Sequence, residues 1–286
     1  IPRCVRTSPL PPPPPPPSRK NNQSINLKVA ILQYPISWAD KSTNLSRTVS
    51  RLRRLRGRAD VALLPEMFST GFCTDRPDLA EPIDGLTMQT LQRVSDEVGV
   101  AVCSSFICCE GEQLFNRGFF IQPHKSPVFI DKSHLYAHGG EARFFTAGRQ
   151  RTVIEYKGVR LRLLLCYDLR FPIWARNQRG NDYDILLVSA NWPEIRIQYW
   201  DALVAARATE NQCYIAAANP VGDDGLGLHY NGHSVAYDSH LTPLVHFRNN
   251  QQGTRIATFD IDALHHFRTV LPLWQDADPF IFNNAL

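Results

Sequence analysis

The sequence predicts one layered α/β domain preceded by an extended N-terminal tail, and three observations lead to this prediction. Apolar runs of strand length alternate with segments whose leucines and valines recur at helical spacing along residues 27–286. No internal repeat or linker-like stretch divides this body. The chain has 286 residues, 43% of them hydrophobic and 20% charged, which is enough to bury a large core.

Residues 1–26 differ in composition from the rest of the chain. They contain no acidic residue, and positions 11–17 are all proline. Such a run adopts an extended, solvated polyproline conformation and does not enter a packed core. We therefore expect a disordered tail. A remnant of a targeting leader and a ligand for a proline-binding domain are the alternatives.

The first half of the body alternates strands and helices. β-rich runs mark the strands, and leucines or valines three or four residues apart mark the helices. The arginines of RLRRLRGR (51–58) alternate with leucines that share one helical face, so they form its solvated side rather than a nucleic-acid site. In order, the predicted elements are the strand LKVAIL, a helix with Leu45, Val49, Leu52 and Leu55, the strand DVALL before Pro65, a helix with Leu86, Leu91, Val94 and Val98, and the strands VAVCSSF, GFFIQ and PVFID.

The second half continues the same alternation. TVIEY and VRLRLLLC predict a hairpin around Lys157-Gly158, and YDILLVSANWP predicts a strand with a sharp stop. The segment Ile195 to Gln212 predicts a helix with Trp200, Leu203, Val204 and Ala208 on one face. The strands CYIAAANP, HSVAYD and RIATFD and a surface helix with His265 and His266 complete the prediction.

Composition argues against several classes of partner. A net charge of +4 does not favour nucleic acid or an anionic membrane, and no apolar run approaches the roughly 20 residues of a membrane helix. Seven scattered cysteines without a CxxC pair favour a reducing compartment, here the cytoplasm, and packing roles for Cys103, Cys108 and Cys109. His229 and His233 lack a third ligand motif, and no glycine-rich phosphate loop is present, so we expect no metal and no cofactor.

Three apolar strands each end in a chemically distinctive residue. VALLPE ends at Glu66, VFIDK at Lys132 and LRLLLC at Cys166. In open α/β sheets, sites form beyond the carboxyl ends of the strands, so adjacent strands would bring these residues together. Each residue alone has an ordinary explanation, as a cap, a surface lysine or a core thiol. Jointly they indicate a catalytic site.

These residue types suit nucleophilic attack on a carbonyl carbon. Glu66 can take the proton of the Cys166 thiol, and a neighbouring ammonium favours the thiolate. The Lys132 ammonium and the backbone N–H of Tyr167 are candidate donors to the oxyanion. Glu66 would then protonate the departing amine and activate water. Pro172 predicts a helix start that directs its positive end toward the sulfur.

Five motifs in register carry a family resemblance. LLPEMFSTGF, DKSHLY, GGEARFFTAG, CYDLRFP and ANWP resemble those of the nitrilase, or carbon–nitrogen hydrolase, superfamily, and the likeness runs from Leu27 to Phe280. The resemblance implies the α-β-β-α sandwich of that superfamily, with residues 27–286 as one hydrolase domain. It also implies a Glu–Lys–Cys catalytic set and a homodimer.

Longer segments narrow the resemblance to one branch. CYDLRFPIWARN, NDYDILLVSANWP and ARATENQCYIAAANPVGDDG are most similar to bacterial omega-amidases. This implies hydrolysis of the terminal amide of 2-oxoglutaramate or 2-oxosuccinamate, through a cysteine thioester, to the 2-oxo acid and ammonia. The implied partner is therefore a small amide.

The resemblance also implies a role for each matching residue. Cys166 is the implied nucleophile, Glu66 the general base and Lys132 the oxyanion partner. Glu141 is an implied second carboxylate that positions the lysine or the amide. The implied substrate-binding residues are Tyr167, Asn191 and Trp192. Arg143, His138 and Arg170 stay open as the cation for a substrate carboxylate, with a structural salt bridge favoured for Arg170.

Other functions remain open at this point. Another amidase, a nitrilase or an N-carbamoyl amide hydrolase would share the three residues and differ in pocket lining. A non-catalytic scaffold would bind partners through the proline-rich tail, but it would gain nothing from a carboxylate and an ammonium at strand ends. A redox sensor would need a resolving thiol near Cys166.

Overall fold

Two six-stranded sheets face each other in the computed structural model, which describes residues 24–178, 182–278 and 280. Most of the predicted tail, residues 1–26, lies outside the described residues. The strands are β1 (Asn26–Gln33), β2 (Val61–Leu63), β3 (Ala101–Glu110), β4 (Gln113–Ile121), β5 (Val128–Asp131), β6 (Ile154–Tyr156), β7 (Val159–Leu165), β8 (Ile185–Ser189), β9 (Tyr214–Ala218), β10 (Val221–Asp223), β11 (His229–Asn231), β12 (Val235–Tyr237), β13 (Pro243–His246) and β14 (Gly253–Asp260). The helices are α1 (Lys41–Arg53), α2 (Leu86–Val98), α3 (Glu141–Phe144), α4 (Pro172–Ala175), α5 (Ile197–Asn211) and α6 (Ile261–Val270).

Each sheet has a parallel centre and antiparallel edges. The first sheet has the order β14-β1-β2-β3-β4-β5, and the second has the order β13-β12-β9-β8-β7-β6. The strands β1, β2 and β3 run parallel to one another, as do β7, β8 and β9. The hairpin predicted around Lys157-Gly158 is confirmed as β6 and β7, which pair from Tyr156 and Val159 outward.

Alternation of apolar side chains along the strands builds the layers. One face of each sheet, with Leu63 of β2 and Leu163 of β7, packs into the core between the sheets. The opposite face of the first sheet packs against α1 and α2, and that of the second packs against Trp200 and Val204 of α5. Because period-two strands bury both faces here, the sheets need helices outside them. The predicted α-β-β-α sandwich is confirmed.

The strands that end in Glu66, Lys132 and Cys166 were expected to meet as neighbours in a sheet, but they are not adjacent. β2 and β5 lie in the first sheet with β3 and β4 between them, whereas β7 lies in the second sheet. Two successive antiparallel pairings return β5 to the direction of β2, so both strands end at the same rim. Contacts between the sheets close that rim. The Glu66 N–H donates to the Ala190 carbonyl oxygen at 3.3 Å, and the Ser189 hydroxyl donates to the Leu64 carbonyl oxygen at 2.8 Å.

The described cysteines and histidines have ordinary surroundings outside the site. The six described cysteines are free thiols, and Cys103 and Cys108 are buried as predicted. Over the described ranges, no three His, Cys, Asp or Glu side chains group as metal ligands. Those ranges also hold no helix with the length and apolar character of a membrane span.

Candidate active site

Glu66 occupies a tightly held segment just beyond β2. Its side chain is completely buried. The Ser104 hydroxyl donates to the Pro65 carbonyl oxygen at 2.5 Å, and the Met67 N–H donates to the Ser105 hydroxyl at 3.0 Å. Met67 adopts a φ of 46°, in the left-handed region. The apolar strand and these serine contacts therefore fix the carboxylate at the sheet rim.

Lys132 follows β5 directly and lies between two carboxylates. Its ammonium is 2.8 Å from Glu66 Oε1 and 2.8 Å and 3.0 Å from the two oxygens of Glu141. None of these three side chains is exposed. The Gly148 N–H donates to the Lys132 carbonyl oxygen at 2.8 Å, and a Cβ at Gly148 would meet the Asp131 carbonyl oxygen at 2.2 Å. Glycine is therefore required at this position for the segment GGEARFFTAG to pack against the lysine strand.

Asn116 completes this buried network and was missed by the sequence analysis. Its amide nitrogen donates to Glu66 Oε1 at 2.7 Å and to Glu141 Oε1 at 2.8 Å. Its side chain points from the middle of β4, and the residue is fully buried. A single amide inside the apolar run LFNRGFF is the signal that could have indicated it, because a buried amide requires polar partners.

Glu141 is held at the first residue of the short helix α3. The Tyr136 backbone N–H donates to Glu141 Oε2 at 2.7 Å, so this carboxylate has donors on both oxygens. A buried ionised carboxylate requires such donors, because leaving it unpaired costs roughly several kcal/mol. The predicted position of Glu141 near Lys132 is thus what the structure contains.

Burial and charge act in opposite directions on the network. Burial raises the pKa of Glu66, the Lys132 charge lowers it and the Glu141 charge raises it again, with a net value above the ordinary one. Burial lowers the pKa of Lys132, but the charges of Glu141 and Glu66 outweigh burial and raise it. Lys132 is therefore an ammonium at any physiological pH, and Glu66 is a stronger base than an exposed glutamate.

Cys166 directly follows β7 in a strained conformation. Its φ of 45° lies in the left-handed region, which costs a non-glycine residue about 1–3 kcal/mol. It is the first residue of a 3-10 turn, Cys166–Arg170, and it is 9% exposed. The predicted helix at Pro172 is present as α4, but it has a single turn and the 3-10 turn separates it from the sulfur. The dipole of this helix therefore contributes little to stabilising a thiolate at Cys166.

The Cys166 thiol is near the carboxylate but is not a preformed thiolate. Its Sγ lies 3.9 Å from the Asn191 carbonyl oxygen, and the Asn191 amide donates to the Glu66 carbonyl oxygen at 2.8 Å. Burial and the Glu66 charge raise the pKa of Cys166 well above its ordinary value. The Lys132 charge acts to lower this pKa, as predicted from the sequence. Burial and the Glu66 charge outweigh its effect, because two carboxylates already balance the lysine charge.

A second unpredicted contact joins the lysine loop to the nucleophile turn. Asp168 accepts the His134 backbone N–H at 2.9 Å and contacts the His134 ring nitrogen at 2.8 Å. The His134 ring stacks on Phe171 with 3.8 Å between centroids. These contacts couple the position of Cys166 to that of Lys132.

Trp192 belongs to the apolar cluster that also contains Cys166 and Trp200. Trp192 is 4% exposed, and its backbone N–H donates to Asn219 Oδ1 at 2.7 Å. The Arg170 guanidinium carbon lies 5.2 Å from the Trp192 ring centroid and 5.2 Å from that of Tyr199. No carboxylate of the described chain is within ion-pair distance of Arg170, so the favoured salt bridge is wrong. Arg143 and His138 are exposed.

Fold and site together define a carbon–nitrogen hydrolase. A buried thiol, a buried carboxylate and a buried ammonium lie where the rims of the two sheets meet, and groups of these types are suited to acyl transfer. The carbon-nitrogen hydrolase family model matches residues 28–269, and the chain belongs to that family.

Individual relatives are similar over nearly their whole length. The omega-amidase YafV of Yersinia enterocolitica is 37% identical over 255 residues, 89% of this chain and 98% of the relative. The 2-oxoglutaramate amidase of Bacillus subtilis (strain 168) is 28% identical over 251 residues, 87% of this chain and 96% of the relative. A crystal structure of XC1258 from Xanthomonas campestris, a CN-hydrolase superfamily protein with an arsenic adduct in its active site, aligns with a TM-score of 0.88 and 35% identity. It covers 91% of this chain and 100% of that one.

Proposed function

We propose that this chain is an omega-amidase. It hydrolyses the terminal amide of a small 2-oxo dicarboxylate monoamide, 2-oxoglutaramate or 2-oxosuccinamate, to the 2-oxo acid and ammonia. The observation that carries the proposal is the contact of the Lys132 ammonium with Glu66, 2.8 Å long, beside the Cys166 thiol. Similarity to the omega-amidase and the 2-oxoglutaramate amidase supports the choice of substrate.

Acylation begins from a neutral thiol and an ionised Glu66. The sulfur of Cys166 bonds to the amide carbon while its proton passes to Glu66, whose raised pKa makes it an effective acceptor. The Lys132 ammonium and the Tyr167 N–H stabilise the oxyanion of the tetrahedral intermediate. Glu66 then gives its proton to the amide nitrogen, the carbon–nitrogen bond breaks, and ammonia and a thioester remain.

Deacylation uses the same carboxylate in the reverse sense. Water occupies the place that ammonia has left and gives a proton to Glu66 as its oxygen bonds to the thioester carbon. The carbon–sulfur bond then breaks, the sulfur of Cys166 recovers its proton and the acid departs. Glu141 and Asn116 do not exchange protons in this scheme. They hold Glu66 and Lys132 in place.

The far end of the substrate carries a carboxylate and requires a cation. Of the three candidates from the sequence, Arg170 has the position to supply it. It is half-buried against the Trp192 ring and lies four residues after Cys166 in the same turn. Arg143 and His138 are exposed on the loop and helix around Glu141. A homodimer, which the family resemblance implies, and a cytoplasmic location, which the scattered cysteines favour, are part of the proposal.

A substrate panel tests the function. We expect ammonia release from 2-oxoglutaramate or 2-oxosuccinamate with a kcat/KM at least about tenfold above that for simple aliphatic amides, nitriles and N-carbamoyl amino acids. Mass spectrometry of the quenched enzyme should find the 2-oxo acyl group on the peptide that contains Cys166. Turnover of a nitrile or a carbamoyl compound without turnover of either 2-oxo amide would overturn the assignment.

A further inference from the structure

We propose that Arg196 and the indole N–H of Trp192 bind the 2-oxo carboxylate end of the substrate and determine the preference for this end group. The inference rests on the proposed omega-amidase function and names its specificity residues. Arg196 was not among the cations considered from the sequence. Two polar groups lack protein partners in the described part of the chain, and an aromatic wall connects them.

Arg196 is a half-buried cation without a carboxylate partner. It ends the 3-10 turn Glu194–Arg196, which follows the Asn191-Trp192 segment and precedes α5. In the part of the chain that the structure describes, no acidic side chain forms an ion pair with it, and its guanidinium carbon lies 5.4 Å from the Tyr136 ring centroid. Arginine against an aromatic face with its N–H groups free is suited to a carboxylate ligand.

The Trp192 indole N–H is a buried donor. Trp192 is 4% exposed, and no acceptor among the described residues bonds to its Nε1. The side chain of Asn219 holds the Trp192 backbone on both sides, accepting its N–H at 2.7 Å and donating to its carbonyl oxygen at 2.9 Å. A buried donor without a hydrogen bond destabilises the folded state. An oxygen of a bound ligand would remove that destabilisation.

The two groups belong to one aromatic wall beside the nucleophile. The wall joins two guanidinium groups through ring contacts. Arg196 lies over Tyr136, the Tyr136 ring centroid is 5.1 Å from that of Tyr167, and Arg170 lies 6.0 Å from the Tyr167 centroid and 5.2 Å from that of Trp192. Tyr167 follows Cys166 directly, so this wall begins next to the nucleophile.

The same wall reaches the catalytic network. The backbone N–H of Tyr136, whose ring contacts Arg196, donates to Glu141 Oε2 at 2.7 Å, and Glu141 contacts Lys132 at 2.8 Å. The end group and the reacting amide are therefore bound by one connected set of residues. We assign the carboxylate to Arg196, together with Arg170, and the 2-oxo oxygen to the Trp192 N–H.

Three amides of similar length separate these assignments. 2-Oxoglutaramate has both groups, 4-oxopentanamide keeps the keto oxygen without the carboxylate, and glutaramate keeps the carboxylate without the keto oxygen. For Arg196→Met we expect kcat/KM to fall about 10²-fold for 2-oxoglutaramate and glutaramate, through KM, and to change less than about threefold for 4-oxopentanamide. Arg196→Lys should lose less, because it keeps the charge without the planar fork.

Trp192→Phe tests the second donor with little change of shape. We expect this variant to lose about tenfold in kcat/KM for 2-oxoglutaramate and 4-oxopentanamide and to retain glutaramate turnover. Arg93→Met, which removes an exposed cation on α2, is the control and should leave all three values unchanged. Thermal unfolding of each variant identifies any general damage.

The outcomes separate this inference from the proposed function. A wild-type enzyme that does not hydrolyse 2-oxoglutaramate overturns the proposed function, and the inference with it. A wild-type enzyme that hydrolyses it, combined with an Arg196→Met variant that is unchanged, or equally impaired on all three amides, overturns only the inference. Equal loss on all three amides by Trp192→Phe overturns the assignment of its N–H.

Discussion

The Lys132 ammonium lies 2.8 Å from the Glu66 carboxylate, and neither side chain is exposed to solvent. An ion pair of this kind does not by itself stabilise a fold, since the cost of desolvating both charges offsets much of their attraction. A hydrophobic pair of similar volume would pack there as well. The charges are therefore explained by chemistry at the sheet rim rather than by stability.

Replacing Lys132 with methionine should destabilise the protein strongly. The variant leaves two buried carboxylates, Glu66 and Glu141, without their cation, and we expect the free energy of unfolding to fall by about 3–5 kcal/mol in urea titrations. Lys157→Met is the matched control, because Lys157 pairs with Asp60 at the surface. That change should cost at most about 1 kcal/mol. Equal losses in the two variants would contradict the role of burial.

Cys166→Ala should abolish turnover while the fold persists. We expect kcat to fall by about 10⁴-fold or more, because the proposed thioester forms on the Cys166 sulfur. Unfolding should change little, since alanine removes a small side chain from a position that is already strained. Ammonia release and circular dichroism measure the two effects. Cys73→Ala, at a buried cysteine of another apolar cluster, should keep its activity, and retained activity in Cys166→Ala would exclude the nucleophile assignment.

Asn116 should matter for both stability and activity. Asn116→Ala removes donors to Glu66 and Glu141, and each carboxylate left short of a partner costs about 1–3 kcal/mol. Asn116→Asp places a third carboxylate in the same network and should be worse in urea unfolding and in kcat. If the aspartate variant were the more stable of the two, the amide would not be acting as a donor.

Local sequence patterns predicted most elements of the fold, because periodicity and turn residues act over short distances. The helix predicted from Leu86, Leu91, Val94 and Val98 is α2, and its end at Gly99 follows from a left-handed glycine cap. The length of α4 was not predictable, because the chain before Pro172 forms a 3-10 turn, Cys166–Arg170, that packs Leu169 into the core.

Residue types along the chain also indicated the site, whereas its geometry depended on tertiary packing. Strand ends indicated Glu66, Lys132 and Cys166, but nothing local predicts that two different sheets supply them. Asn116 and Arg196 were missed for the same reason. The role of a polar residue on a strand or after a turn depends on the side chains that the opposite sheet places next to it.

Glu141→Gln should move the acidic limb of the pH profile to lower pH. Burial raises the pKa of Glu66 and the Glu141 charge raises it further, against the lowering effect of Lys132. Removing the Glu141 charge therefore lowers this pKa. Because the active form requires ionised Glu66, kcat/KM should persist to more acidic pH, while its plateau falls about 10- to 10²-fold as the base weakens. Glu155→Gln, at an exposed strand position, is the control and should leave the limb in place.

Asp184 should make the fold sensitive to acid. Burial raises the pKa of Asp184, but hydrogen bonds from His265 and from the Arg160 backbone outweigh it, so the pKa lies below its ordinary value. A lowered pKa in the folded state stabilises the protein above the unfolded value of about 3.9, and this stabilisation is lost as pH falls through the folded value. The side chain is 3% exposed and also contacts Arg268, so it joins β8 to α6.

Asp184→Asn should therefore be less stable than the wild type at pH 7, and the difference should shrink below about pH 4 as the wild-type carboxylate becomes protonated. Urea unfolding at pH 7, 5 and 3.5 measures this change. Asp182→Asn is the control, because Asp182 pairs with Arg160 but its side chain is 44% exposed. It should have a smaller effect at every pH. If the free energy of unfolding lost in Asp184→Asn stays constant with pH, the charge of Asp184 does not stabilise the contact between α6 and the sheet.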